Sequence, residues 1–179
     1  MPQFLDQLKR EHQGMEGVLA VLEREATAFD AERQPDYDVI RAAAEYFRHF
    51  PDRHHHRKEN LVFACLRERD PTAAEAVGDL SVAHLRLAEQ LHNFTAGLRA
   101  ILIEAELPRD AFTRWMHGFI EAQRQHHVME ETRFFPAAER ALTSEDWREL
   151  DASTTPVEIG PGVDFDKRLE ALRQEILSS

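Results

Sequence analysis

Cysteine is almost missing from this chain: Cys65 stands alone among 179 residues. An internal disulfide is therefore excluded, as are cysteine-bound zinc fingers, and a reducing cytosol suits such usage. Glycine (7) and proline (8) are scarce, there is no low-complexity tract, and a helical soluble protein fits. No apolar run reaches the roughly 18 residues that a membrane span needs, and the start MPQFLDQLKREH has no apolar signal region. The expected location is cytoplasmic, with no membrane contact. Basic residues are outnumbered, 22 Lys and Arg against 33 Asp and Glu, a net charge of −11. Such a chain repels phosphate backbones, so nucleic acid is not an expected partner. Also absent are a His-Glu-x-x-His motif, a Gly-rich phosphate loop and a Gly-x-Ser-x-Gly elbow.

What is present is helical periodicity nearly throughout. Leu8, His12, Met15, Leu19 and Leu22 step by four and three along a first segment, Gln3 to Ala31. Glu32 to Asp36 breaks it. A second segment runs to Arg69, with Pro51 expected to kink it, and Asp70-Pro71-Thr72 is expected to end it. Leu80, His84, Leu87, Leu91, Phe94 and Leu98 line a third. Pro108 opens a fourth, with Phe112, Met116, Phe119, His126 and Glu130 inward. Thr143-Ser144 reads as an N-cap, Ser153 to Gly162 as a loop, and Phe165, Leu169, Leu172 and Ile176 as the stripe of a last helix. The predicted fold is all-α: an antiparallel up-down-up-down four-helix bundle over residues 1–143, with 144–179 packing on the same domain as a short helix, a loop and an additional C-terminal helix.

Each of the four segments carries a histidine on its apolar seam: His12, His55, His84 and His126. Two of these repeat His-x-x-x-Glu, as His55/Glu59 and His126/Glu130. Positions i and i+4 of an α-helix point almost the same way, about 6 Å apart along the axis. An imidazole and a carboxylate sent together into a dry core need a partner, and a pair of metal ions satisfies four helices at once. The level of the histidines supports this. In an antiparallel hairpin, residues equidistant from the turn lie at one height. The midpoints of His12/His55, His55/His84 and His84/His126 fall at about residues 33, 70 and 105, in or beside the three predicted turns.

His54, His55 and His56 are consecutive, and only one can aim squarely at the core. His55 alone has a carboxylate four residues on; Lys58 follows His54 and Asn60 follows His56. On the fourth segment His127/Glu131 is a rival to His126/Glu130, which sits among Phe119, Ala122 and Met129. His49, His92 and His117 read as surface or outer residues, and Cys65 as core packing. A ferritin-like site needs Glu-x-x-His on two helices, and only Glu89/His92 has it.

The stretches FPDRHHHRKENLVFACLRERDP, VAHLRLAEQL and HHVMEETRFFPAAERALTSEDWRELD, with the opening EHQGMEGVLAVLE, resemble the bacterial hemerythrin-like proteins, the HHE cation-binding group. The resemblance covers roughly residues 5 to 177. It implies a four-helix bundle around two non-haem iron ions, ferrous or ferric and oxo- or hydroxo-bridged, with zinc or manganese as substitutes. Carried over, the metal ligands are His12, His55, Glu59, His84, His126 and Glu130. Glu59 and Glu130 would bridge, His12 and His55 would complete one iron, and His84 and His126 the other. The chain departs from oxygen-carrying hemerythrins at Ala88, where they have a second histidine on the third helix. It also has Glu130 at i+4 where they have an aspartate at i+5.

Each metal then has about four protein donors, below the six of an octahedral ion. The remaining positions would admit dioxygen, nitric oxide or peroxide. Phe47, Phe63, Phe94, Phe119 and Phe134 are candidates to wall the site, or plain core. The first functional reading is a protein that binds or senses such a small ligand. The second is an enzyme that decomposes peroxide or reduces nitric oxide. The third is a metal-stabilised structural bundle whose last helix docks a protein partner.

Overall fold

The steps of four and three on the first segment become α1, Gln3–Asp30, which buries Leu8, Met15, Leu19 and Leu22 completely or nearly so. Each such side chain contributes roughly 1.5–3 kcal/mol on leaving water. The computed structural model describes residues 2–103, 108–153 and 161–179, all without strand. α1 ends in a Schellman motif: the Arg33 N–H donates to the Ala28 carbonyl (2.9 Å) and the Glu32 N–H to that of Phe29 (3.0 Å). Glu32 takes the left-handed conformation this requires (φ 56°) without being glycine.

Asp36 caps α2, Tyr37–Phe50, by accepting from the Asp38 and Val39 N–H groups. The chain then passes through a π-helical turn, Pro51–His55, into α3, His56–Arg69. The irregularity expected at Pro51 therefore takes the form of a widened turn. At Asp70 the structure differs from the sequence reading. Asp70 accepts from the Ala73 N–H (2.9 Å), Pro71 occupies a first-turn position, and a further helix α4, Pro71–Val77, forms where a plain terminus was expected. Proline suits a first turn because its missing N–H would be unused there.

Gly78 (φ 93°) turns the chain, and Asp79 caps α5, Leu80–Leu102. α6, Arg109–Met129, continues through a second π-helical turn, Glu130–Phe134, into α7, Phe135–Ala141. Thr143 and Asp146 form the capping box of α8, Ser144–Ser153. α9 spans Pro161–Ser178 and buries Leu169 and Ile176; the Phe165 side chain and most of the predicted loop lie outside the described residues.

Four of these helices touch in a ring: α1 on α2, α2 on α5, α5 on α6, and α6 on α1. α9 lies on α2 and α1, and α8 on α1 and α3. The apolar interior is divided in two. One core gathers Met15, Leu19, Ile40, Phe47, Phe94, Phe112 and Phe119. The other gathers Leu8, Val62, Leu66, Leu80, Phe134 and Trp147. Between them each helical run carries polar residues: His12 between Leu8 and Met15, His55 and Glu59 between Phe47 and Val62, His84 between Leu80 and Phe94, and His126 and Glu130 between Phe119 and Phe134. No helix among the described residues is long and apolar enough to cross a membrane.

Candidate metal centre

Both His-x-x-x-Glu pairs sit beside a proline and a π turn. Pro51 has no N–H to donate into the preceding turn, and the His56 N–H reaches back five residues to the Pro51 carbonyl. Pro136 likewise cannot donate to residue 132, and the Phe135 N–H bonds the Glu130 carbonyl, five back. A wider turn advances each residue by a smaller angle, so neighbouring side chains diverge less. His55 and His56 are both buried, at 1% and 8% exposure, as are the consecutive His126 and His127 of α6. The expectation that only one of the three consecutive histidines aims inward is thereby corrected. A helix covered on more than one side buries adjacent residues, as α6 does with His126 and His127.

The six sequence-derived candidates meet in one layer. Glu59 and Glu130 are fully buried at its centre. One oxygen of Glu59 lies 2.9 Å from His55 Nε2 and 3.9 Å from His12 Nε2; its other oxygen lies 3.3 Å from His84 Nε2. Glu130 repeats the pattern, with one oxygen 3.2 Å from His12 Nε2 and the other 3.0 Å from His126 Nε2 and 3.9 Å from His84 Nε2. Each carboxylate thus meets three imidazoles, His12 and His84 being common to both. Ligand atoms gather into two sets, each within 4.8 Å: His12, His55, Glu59 and Glu130, and His56, Glu59, His84 and His126.

These short distances lack hydrogen-bond geometry. The Nε2 atoms of His12, His55, His84 and His126 and all four oxygens of Glu59 and Glu130 are buried without a hydrogen-bond partner in the protein. Each unpaired buried group costs roughly 1–3 kcal/mol, and eight of them would consume a whole stability of about 5–15 kcal/mol. Ligand atoms that converge from separate helices with no hydrogen bond among them are what a cation satisfies. The donors are imidazole and carboxylate with no thiolate, which suits iron, manganese or zinc.

The outward nitrogens of the first set are fixed by other acids. His12 Nδ1 pairs with Glu131 (2.8 Å), and His55 Nδ1 with Glu11 (2.9 Å), which also binds Lys58. Such bonds fix the tautomer that turns Nε2 inward. Burial opposes charge on the rings, but the carboxylates outweigh it. Glu130 and Glu59 raise His12 to about 9, Glu59 and Glu11 raise His55 to about 10, and Glu130 and Glu59 raise His84 to about 9. Burial also pushes Glu130 upward, as does Glu59, yet the adjoining His12, His126 and His84 bring it down to about 2. Without metal, His12, His55 and His84 therefore favour their protonated forms at neutral pH.

The rival pair flanks the layer. His127 stacks on His12 (4.2 Å, 19°) and is held near 3, by burial first and then by the charge of His12, so it stays neutral. Glu131 serves His12. Phe135, which the sequence did not single out, also stacks on His12 (5.5 Å, 18°). Of the five candidate wall aromatics, Phe47 and Phe94 pack on Phe119 in one core, and Phe63 packs on Phe134 at the other. His49 bonds Glu45 and His117 bonds Asp30, both at the surface. Glu11 was the harder partner to foresee. Its only signal is adjacency to His12, which on a helix places it on the neighbouring face.

A family model described as the hemerythrin HHE cation binding domain matches residues 3–138. Comparison with curated proteins and with solved structures gives no significant match.

Proposed function

Since the chain belongs to the hemerythrin HHE cation-binding family, we propose that it is a non-haem di-iron protein whose buried centre binds or senses dioxygen, nitric oxide or peroxide. The observation that carries this reading is the convergence of eight partnerless ligand atoms from His12, His55, Glu59, His84, His126 and Glu130. The two four-residue sets share Glu59, and Glu130 reaches from His12 of one set to His84 and His126 of the other, which supports two ions held by two common carboxylates. Such ions would supply Lewis acidity and a reversible ferrous–ferric couple. The protein's own part is to orient the imidazoles through Glu131 and Glu11 and to exclude water with the two apolar cores.

The up-down-up-down order has its own support. The four runs meet the cores in alternating sequence: Leu8 then Met15, Phe47 then Val62, Leu80 then Phe94, Phe119 then Phe134. The contacts of α8 and α9 with the ring helices favour one domain that includes residues 144–179. A single cysteine favours a reducing cytoplasm.

Anaerobic reconstitution with ferrous iron, followed by air, tests the reading. Expected are two irons per chain and a near-ultraviolet ferric charge-transfer band that changes with nitric oxide or peroxide. Two zinc ions per purified chain and no such band would exclude it. Catalytic peroxide loss that vanishes in His55→Ala would move the assignment from sensing to enzyme.

A further inference from the structure

We propose that the outer face of α5 is a self-association surface, on which a second copy of this chain lays its own α5 antiparallel about a two-fold axis at the height of Phe94. Leu85, Glu89, His92, Ala96, Arg99 and Ile103 follow one another by alternating steps of four and three. That spacing is the seam of a two-stranded coiled coil. All six residues are exposed, on the side of the helix opposite Leu87, Phe94 and Leu98, which face the core. Leu85 and Ile103 are each 70% exposed and the flanking Leu102 48%. α8 and α9 lie over α1, α2 and α3 instead.

Exposed apolar side chains are ordinary by themselves; the charges on the stripe decide what covers it. Glu89 and Arg99 make no ion pair among the described residues, and Arg99 has no acid three or four residues away on its own helix. In an antiparallel pair, residues equidistant from the axis meet. Leu85 then faces Ile103 of the second copy, Glu89 faces its Arg99, and His92 faces its Ala96. Two-fold symmetry makes each contact twice. Beside the seam, Ala88 meets Leu102 of the second copy. A parallel pair would set Glu89 against Glu89 and Arg99 against Arg99, so the charges select the antiparallel arrangement.

The paired stretch, residues 85–103, is roughly 27 Å of helix. Its apolar contacts are few, so the association is weak and reversible. The two ion pairs fix its register and exclude the wrong one more than they strengthen it. None of this depends on which metal the buried layer holds.

The test is sedimentation velocity of the full chain, of Glu89→Arg and of Arg99→Glu, each alone over a range of concentrations, and of the two variants mixed. The unaltered chain should show a reversible monomer–dimer equilibrium. Each single reversal puts like charges together at both symmetric contacts and should weaken dimerisation at least about tenfold. Mixing the two variants restores opposite charges at both contacts, so heterodimers should form about as tightly as the unaltered pair. Recovery on mixing also shows that neither variant has lost its fold; if Glu89→Arg does not fold, Glu89→Lys carries the same comparison. An unaltered chain that stays monomeric up to about 1 mM, where association is worth only about 4 kcal/mol, would overturn the inference. So would dimerisation indifferent to both reversals, or folded variants that stay monomeric when mixed.

Discussion

Glu11 shows how much of the centre is settled by side chains that never enter it. It is largely buried, accepts from His55 Nδ1 and pairs with Lys58. Burial raises its proton affinity, but His55 and Lys58 prevail and hold it below the usual carboxylate range. Glu11→Gln keeps the shape and removes the charge behind His55. Metal affinity should fall about 10–100-fold, measured by titration with a competing chelator. An unchanged constant would mean that the tautomer of His55 is fixed by other groups.

The imidazoles themselves make a pH-dependent prediction. His12, His55 and His84 are raised to about 9, 10 and 9 when no metal is bound. Their folded-state values exceed the unfolded value near 6.5. The stability they contribute to the metal-free protein is therefore full below about pH 6.5 and is lost as pH climbs through 9 to 10. Metal requires the same rings deprotonated, so its affinity rises over that interval. The melting-temperature difference between loaded and metal-free protein should widen from pH 6 to pH 9. A constant or shrinking gap would contradict these assignments.

At the scale of the element, two positions separate helix propensity from packing. Glu32 occupies the left-handed Schellman position that glycine fills without strain. Glu32→Gly should stabilise the protein by about 1 kcal/mol, seen as a higher denaturation midpoint. Gly97 is the converse. A Cβ there would lie 2.7 Å from the Trp115 ring, where α5 meets α6. Alanine gains about 1 kcal/mol in intrinsic helix preference, but overpacking costs typically 1–3 kcal/mol. Gly97→Ala should therefore leave the midpoint unchanged or lower it by up to about 2 kcal/mol, and a clear gain would refute the close approach.

Over the whole molecule, the polar layer separates two apolar cores, so the weakest part of the interior is its middle. An ion held there stabilises every helix that supplies a ligand. At a free metal concentration 100 times Kd the gain is about 2.7 kcal/mol. Stripping the metal should lower Tm by several degrees, followed by circular dichroism with and without chelator. An identical Tm in both forms would deny the metal any structural part.

Much of this architecture is legible in one dimension. Helical spacing is local, so the seam of Leu8, His12, Met15 and Leu19 announces its helix and inner face. Two His-x-x-x-Glu pairs and the near-equal distances of four histidines from three turns point to one shared level, because an antiparallel hairpin maps sequence distance onto height. What the sequence could not settle depends on departures from regular helix and on distant partners. His56 is buried beside His55, although no carboxylate four residues on marks it in the sequence. The pairing of His12 with Glu131, 119 residues away, and of His55 with Glu11 is a product of packing. Periodicity carries through the backbone, whereas a widened turn and a long-range carboxylate are decided only when the helices close on one another.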